Sequence, residues 1–214
     1  MKVFVIGAGG NVGRLIVEHL TNEGDQVTAG AHRQEQVNSF REQNVKAEVF
    51  DLLKQPEEMA KQLRGYDAIV FSAGSGGKTG DDMTMLVDLD GAVKSMQAAK
   101  IAGVKRFIMI SAIFAEDRTK WVTIKPYYAA KFYADEWLRH RTTLNYTILE
   151  PGALTFDDET GKVATDDLEK GGSISRADVA AAVAASLHDD SSIGKVIPLI
   201  SGETPIATAI KQAK

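Results

Sequence analysis

The chain has 214 residues, 25 Lys and Arg against 29 Asp and Glu, a net charge of -4 and no cysteine. That length suits one domain with a full core, and the mixed charge leaves no electrostatic footprint for nucleic acid or an anionic membrane. Lack of cysteine excludes disulfides, thiol catalysis and zinc–thiolate sites. The histidines His19, His32, His140 and His188 stand far apart, without ligand-like spacing, so no metal site is expected. No apolar run approaches a membrane span, and the N-terminal apolar stretch is short and ends in glycines instead of a cleavage site. The expected location is the cytoplasm.

The chain opens on an apolar strand, Lys2-Val3-Phe4-Val5-Ile6, that runs into Gly7-Ala8-Gly9-Gly10-Asn11-Val12-Gly13. A helical period follows, with Leu15, Ile16, Val17 and Leu20 as its apolar residues. Strand, glycine loop and helix together build a nucleotide phosphate cradle. Glycine permits the tight turn and lets backbone N–H groups approach a pyrophosphate, and the helix adds its positive dipole end. The spacing reads as Gly7-x-x-Gly10-x-x-Gly13 with Gly9 extra, not as G-x-G-x-x-G. Gly13 falls one turn into the helix, where a missing side chain permits close packing on the strand.

Strands and helices then alternate. Strands are expected at 26–29, 47–50, 68–71, 106–110, 145–149 and 196–200; helices at 34–41, 56–63, about 82–101, 126–140, 176–187 and 205–212. The runs Ala68-Ile69-Val70-Phe71 and Phe107-Ile108-Met109-Ile110 are apolar on both faces, as a parallel sheet covered on both sides requires. The expectation is an α/β fold with a doubly wound parallel sheet in three layers, α/β/α, over residues 1–214. Irregular stretches at 72–81, 112–125 and 151–175 each follow a strand end. In such a sheet, ligands bind outside the carboxyl ends of the strands.

NAD binding usually places an acid at the end of the second strand, on the ribose hydroxyls. Here that stretch is Thr28-Ala29-Gly30-Ala31-His32-Arg33, with no acid and with a guanidinium suited to bidentate phosphate binding. NADP(H) is therefore favoured over NAD(H), with His32 as a weaker contributor, although Glu35 lies close by. Ser75-Gly76-Gly77-Lys78-Thr79 resembles a phosphate loop only superficially: the Walker pattern needs Gly where Ser72 stands. That segment reads as a mobile loop over the site.

Tyr127 and Lys131 stand at i and i+4, on one face of a helix that Pro126 is suited to begin. An ammonium beside a phenol favours the phenolate, so a lowered tyrosine pKa and an acid/base role are expected. Tyr128 shares that face closely enough that spacing alone does not choose between the two. Ser111 closes the strand 106–110, with its hydroxyl expected in the same cleft. Asp178 lies in the first turn of the helix 176–187 behind Ser175, where a capping and dipole role is expected.

The order of glycine loop, strand-end Ser and Tyr-x-x-x-Lys resembles the short-chain dehydrogenase/reductase superfamily, and within it the small atypical NAD(P)-binding, epimerase/dehydratase-like members. Phe71-Ser72-Ala73-Gly74, Val87-Asp88-Leu89-Asp90-Gly91, Lys105-Arg106-Phe107-Ile108-Met109-Ile110-Ser111, Tyr127-Tyr128-Ala129-Ala130-Lys131, Pro151-Gly152-Ala153 and Ile174-Ser175-Arg176-Ala177-Asp178-Val179-Ala180 carry the resemblance further, over nearly the whole chain. It implies a Rossmann fold, and it implies roles. Tyr127 exchanges the proton, Lys131 holds the nicotinamide ribose and lowers the tyrosine pKa, and Ser111 bonds the substrate oxygen. Gly7, Gly9, Gly10, Asn11, Val12 and Gly13 carry the diphosphate, and Arg33 with His32 meets the 2′-phosphate. Asp51 and Leu52 flank the adenine, Ser72, Ala73 and Gly74 pass under the adenosine ribose and diphosphate, and Pro151, Gly152 and Ala153 sit near the nicotinamide.

The family pattern also chooses Tyr127 over Tyr128. Glu150 departs from relatives, which often carry arginine there, and the short tail after Pro151 leaves little chain for a nucleotide-sugar pocket. The resulting expectation is an NADP(H)-dependent oxidoreductase acting on a small carbonyl or alcohol, as monomer or homodimer. Its alternatives are a sugar epimerase or dehydratase and an NADPH-sensing regulator without turnover. Loops 112–125 and 151–175 are expected to line the substrate, with Phe114, Trp121 and Phe156 as apolar wall.

Overall fold

The computed structural model describes residues 1–77, 79–166 and 169–213. Lys78, which belongs to the loop compared above with a phosphate loop, lies outside the described residues, as do Asp167 and Leu168. The first half runs β1 (Lys2–Ile6), α1 (Asn11–Asn22), β2 (Gln26–Ala31), α2 (Gln34–Glu42), β3 (Lys46–Val49), α3 (Pro56–Leu63) and β4 (Ala68–Phe71). Next come α4 (Asp81–Met83), a π-helical segment (Thr84–Gly91), α5 (Ala92–Ala102), β5 (Arg106–Ile110), α6 (Lys125–Arg141) and β6 (Asn145–Pro151). Three short strands follow: β7 (Ala153–Thr155), β8 (Lys162–Ala164) and β9 (Ser173–Ser175). The chain closes with α7 (Arg176–Leu187), β10 (Lys195–Ser201), β11 (Thr204–Pro205) and α8 (Ile206–Gln212).

The main sheet has the order β11-β8-β10-β6-β5-β4-β1-β2-β3. From β3 to β10 its neighbours pair in parallel, with Val5 against Ala29 on one side and Val70 on the other. β8 joins antiparallel to β10 and β11. Strand order reverses between β1 and β4, which places a crevice at their carboxyl ends.

Alternation along each strand divides the apolar side chains between two cores. Val3, Val5, Val70, Ile108 and Leu149 pack with α1, α2, α7 and α8 through residues such as Ile16, Phe40, Val183 and Ile210. Phe4, Ile6, Phe71, Phe107 and Met109 pack with α3, α5 and α6 through Met59, Leu63, Met96 and Leu138. Two covered faces give the expected three layers. No helix among the described residues is long and apolar enough to cross a membrane.

Three expectations need correction. The helix expected over about 82–101 is interrupted by the π-helical turns of Thr84–Gly91. Those turns bury Asp88 and bring Gly91 against Leu52, where a Cβ would lie 3.2 Å from the leucine side chain. The stretch 151–175 is not wholly irregular: it contains β7, β8 and β9, each three residues long and too short to show a period in sequence. The last helix starts at Ile206, because Pro205 is paired with Lys162 at the sheet edge.

Candidate functional site

The turn after β1 is held by the N–H groups of Gly7 and Ala8, which both donate to Gly30 O at 3.0 Å. Gly7 has φ +82°, and a Cβ there would lie 2.6 Å from the Ala73 backbone. A Cβ on Gly13 would lie 2.3 Å from Gly7 O, so only glycine lets α1 sit this close to β1. Gly10 is the N-cap of α1; no side chain caps the helix and its first turn carries no acid. The N–H groups at Asn11 and Val12 and the positive dipole end therefore lie open beside exposed Gly10 and Asn11. An uncapped helix start behind a glycine turn at the switch point fits a dinucleotide diphosphate.

Other residues expected around a dinucleotide surround this turn. Ser72 N–H donates to Ile6 O at 2.9 Å, which carries Ala73 against Gly7 and Gly74 against Asp88. Gln36 in α2 donates to Gly9 O at 3.1 Å and accepts from Arg33 N–H at 3.1 Å, tying the start of α2 to the glycine turn. His32 and Arg33 are exposed there, just beyond β2. Asp51 Oδ1 accepts from Leu53 N–H at 2.9 Å, leaving Leu52 half-buried against Gly91. Pro151, Gly152 and Ala153 lie farther along the same sheet edge. Their backbones join Ile113, Leu199 and Gly172 through bonds of 2.9 Å.

The second half of the site is built on α6 and the end of β5. Lys131 is buried, donates to Ile110 O at 3.1 Å and stands 3.7 Å from Asp88 Oδ1. Its Nζ lies 5.6 Å from the Tyr127 ring centre. Tyr128 instead stacks on Trp121, with ring centres 6.3 Å apart. Geometry thus separates two tyrosines that spacing left equivalent. Trp121 donates to Phe114 O at 3.1 Å, whereas Phe156 is highly exposed and lies over the Arg176 guanidinium at 3.9 Å.

The expected lowering of the Tyr127 pKa is not what the structure produces. Burial of the half-enclosed phenol is the largest influence and raises it; the attraction of Lys131 is smaller, and Asp88, Tyr128 and Asp135 add to the rise. The carboxyls of Asp88 and Asp135 oppose what the Lys131 charge does for a phenolate. Tyr127 consequently remains protonated at neutral pH, as a proton donor must.

Ser111 is also differently engaged from the expectation. It is 2% exposed, and its Oγ donates to Asp135 Oδ2 in a short hydrogen bond. Asp135 is itself 2% exposed, and burial pushes its pKa up to about 7 against the opposing effects of Ser111 and Lys131. Glu150, just before Pro151, is buried nearby; desolvation first, then Asp135 and Glu116, push it to about 8. Among the described residues, Asp135 Oδ1, Glu150 Oε1 and Asp88 Oδ1 have no hydrogen-bond partner.

Neither Asp88 nor Asp135 was singled out from sequence. Asp135 had a readable signal, since it stands four residues after Lys131 and eight after Tyr127 on the same helical face. Asp88 stands in the Val87-Asp88-Leu89-Asp90-Gly91 segment that carries the resemblance, but its inward orientation depends on the π-helical turns. Asp178 takes the expected structural role: it is fully buried, its N–H donates to the N-cap Ser175 Oγ at 2.9 Å, and its carboxylate accepts from Thr160 and Gly161 N–H at 3.0 and 2.8 Å. Arg106 lies at the opposite end of β5, bonded to Asn145 O, Ser186 O, Thr147 and Ser192. All of its acceptors are internal, so it serves packing.

Comparison with known proteins agrees with this layout. The family described as NAD(P)H-binding matches residues 7–190. The chain is 47% identical over 215 residues to the uncharacterized sugar epimerase YhfK of Bacillus subtilis, covering 99% of this chain and 100% of that one. Among solved structures, the oxidoreductase ylbE from Lactococcus lactis is 45% identical with a TM-score of 0.90, over 99% and 95% of the two chains. A Bacillus halodurans protein assigned as an NAD-dependent epimerase/dehydratase is 38% identical with a TM-score of 0.92, over 99% of each chain. With its glycine turn at the β1/β4 switch point and its parallel sheet between two helical layers, the chain belongs to the NAD(P)H-binding family of Rossmann-fold proteins, of the atypical short-chain dehydrogenase/reductase type.

Proposed function

We propose that this protein is an NADP(H)-dependent oxidoreductase that acts on a small carbonyl or alcohol. The observation that carries the reading is the pairing of Tyr127 with buried Lys131 beside the end of β5, on the sheet edge where the glycine turn opens. Gly7, Gly10, Asn11, Val12 and Gly13 would hold the diphosphate; Arg33 and His32, exposed and without an acid at the end of β2, would meet a 2′-phosphate. When bound, the nicotinamide supplies or receives hydride. Tyr127, kept protonated, gives its phenolic proton to the substrate oxygen as negative charge develops there; in oxidation only its phenolate form takes that proton back. Lys131 holds the phenol and a ribose hydroxyl in place, and Ser111 orients the substrate oxygen. Pro151–Ala153 and the aromatic loop around Trp121 bound the space available to the substrate.

The test is NADPH oxidation with a panel of aldehydes, ketones and quinones. Tyr127→Phe is expected to reduce kcat/KM by at least about 100-fold while leaving the NADPH dissociation constant within about twofold of wild type. Equal turnover in that variant removes Tyr127 from the chemistry. One relative favours a second reading: YhfK is named as a sugar epimerase. An epimerase retains NAD through its cycle, so NAD carried through purification, with no net NADPH consumption by any carbonyl, would favour that alternative.

A further inference from the structure

Behind Ser111 lies a group of acids that the reaction as described does not use. Asp135 accepts the Ser111 hydroxyl through Oδ2, while its Oδ1 has no partner among the described residues. It faces Lys131 and Arg139 from its own helix, Glu116 from the loop after β5 and Glu150 from β6. Asp88, on the π-helical segment, stands 3.7 Å from Lys131 Nζ. Arg139 is drawn off by Glu116, with which it forms a short ion pair, and by Glu136 at 3.5 Å. The described cations therefore leave Asp135 and Glu150 without an ion-pair partner within 4.0 Å. Two buried carboxyls in one electrostatic neighbourhood do not both ionise readily.

We propose that Asp135 is a positioning residue for Ser111, and that its protonation state decides whether the Ser111 hydroxyl donates a hydrogen bond to the substrate or accepts one from it. The inference rests on the oxidoreductase reading for its catalytic consequence, but not for its structural content. With Asp135 ionised, the Ser111 hydrogen is held on Oδ2, and only Oγ lone pairs remain to receive the hydroxyl of an alcohol. With Asp135 protonated, the carboxyl hydrogen is donated to Ser111 Oγ, and the serine hydrogen is free to turn to a carbonyl oxygen. Asp135 keeps its proton during such a turnover; the proton added to the substrate still comes from Tyr127. Ser111 is screened from water, so its neighbour rather than solvent sets its direction.

Reduction needs a donor at Ser111 and is favoured below the titration of Asp135, near pH 7; above it Ser111 is left as an acceptor for an alcohol hydroxyl. Tyr127 titrates above its ordinary value near 10 and does not supply this limb. Glu150 loses its proton later, at about 8, against an already charged Asp135.

Infrared titration of the cofactor-free chain tests the structural part. Wild type is expected to lose carboxylic-acid carbonyl absorption in two steps between about pH 6 and 9. Asp135→Asn should remove the earlier step, and Ser111→Ala should shift the frequency of that same component. The catalytic part is read from the pH profile of kcat/KM for NADPH-driven carbonyl reduction. The wild-type profile should fall about tenfold per pH unit above the limb. In Asp135→Asn, whose amide can donate permanently to Ser111, that limb should disappear.

Glu150→Gln should keep it. An unchanged early step in Asp135→Asn, or a limb abolished by Glu150→Gln alone, overturns the proposal. If Asp135→Asn does not fold, an unshifted carbonyl band in Ser111→Ala overturns it equally. If no carbonyl is reduced but the infrared steps respond as described, the oxidoreductase reading fails and the coupling of Asp135 to Ser111 stands.

Discussion

Tyr127 shows how far a residue's chemistry depends on its surroundings. A phenol one turn from an ammonium is expected to titrate low; here burial and the nearby carboxyls of Asp88 and Asp135 reverse the sign. Sequence spacing gave the pair but not its environment, because Asp88 comes from a different element. Arg33 is the opposite case, an exposed residue whose proposed role depends only on its place beyond β2. Arg33→Ala is expected to weaken NADPH binding by about 10- to 100-fold, the worth of one or two charge-assisted hydrogen bonds, with NADH changed by less than about threefold. Parallel titrations with the two nucleotides check this, and an unchanged NADPH/NADH ratio removes Arg33 from cofactor discrimination.

At the scale of elements, the strands and helices with long apolar faces agree with their sequence periods, and β4, β5, α3 and α7 have the expected bounds. The departures occur where a period has nothing to act on. β7, β8 and β9 are ordered by partners distant in sequence, such as Ser173 for Ala153. The π-helical turns before α5 place Asp88 inward, a rotation that no count of apolar residues foretells. The entry to α6 carries local strain: Ile124, its N-cap, has φ 44° and ψ 38°, is 60% exposed and makes no capping bond. A β-branched residue there is costly, whereas Asn tolerates the left-handed region. Ile124→Asn should raise stability by about 1 kcal/mol and Tm by about 2–4 °C, as calorimetry can measure; a lower Tm would show that Ile124 contributes packing that outweighs its backbone cost.

For the molecule as a whole, a dinucleotide held across the β1/β4 crevice would join β1, α1, β2 and β4 through one ligand, and a ligand bound only by the folded state stabilises it. NADPH at a hundredfold excess over its dissociation constant should add about 2.7 kcal/mol and raise Tm by about 5–10 °C. Inorganic phosphate alone should give a much smaller shift. No saturable shift with NADPH or NADH would contradict pyridine-nucleotide binding at this crevice. By itself the sequence determined the alternation of elements, the glycine turn and the helical face shared by Tyr127 and Lys131, since strand period, glycine sterics and helical pitch are local properties. The tertiary structure alone decided that Tyr128 turns to Trp121, that Asp88 stands by Lys131, and that Ser111 gives its hydrogen to Asp135 near Glu150. Those outcomes depend on side chains from separate elements being buried together, where desolvation and through-space charge prevail over anything spacing along the chain can encode.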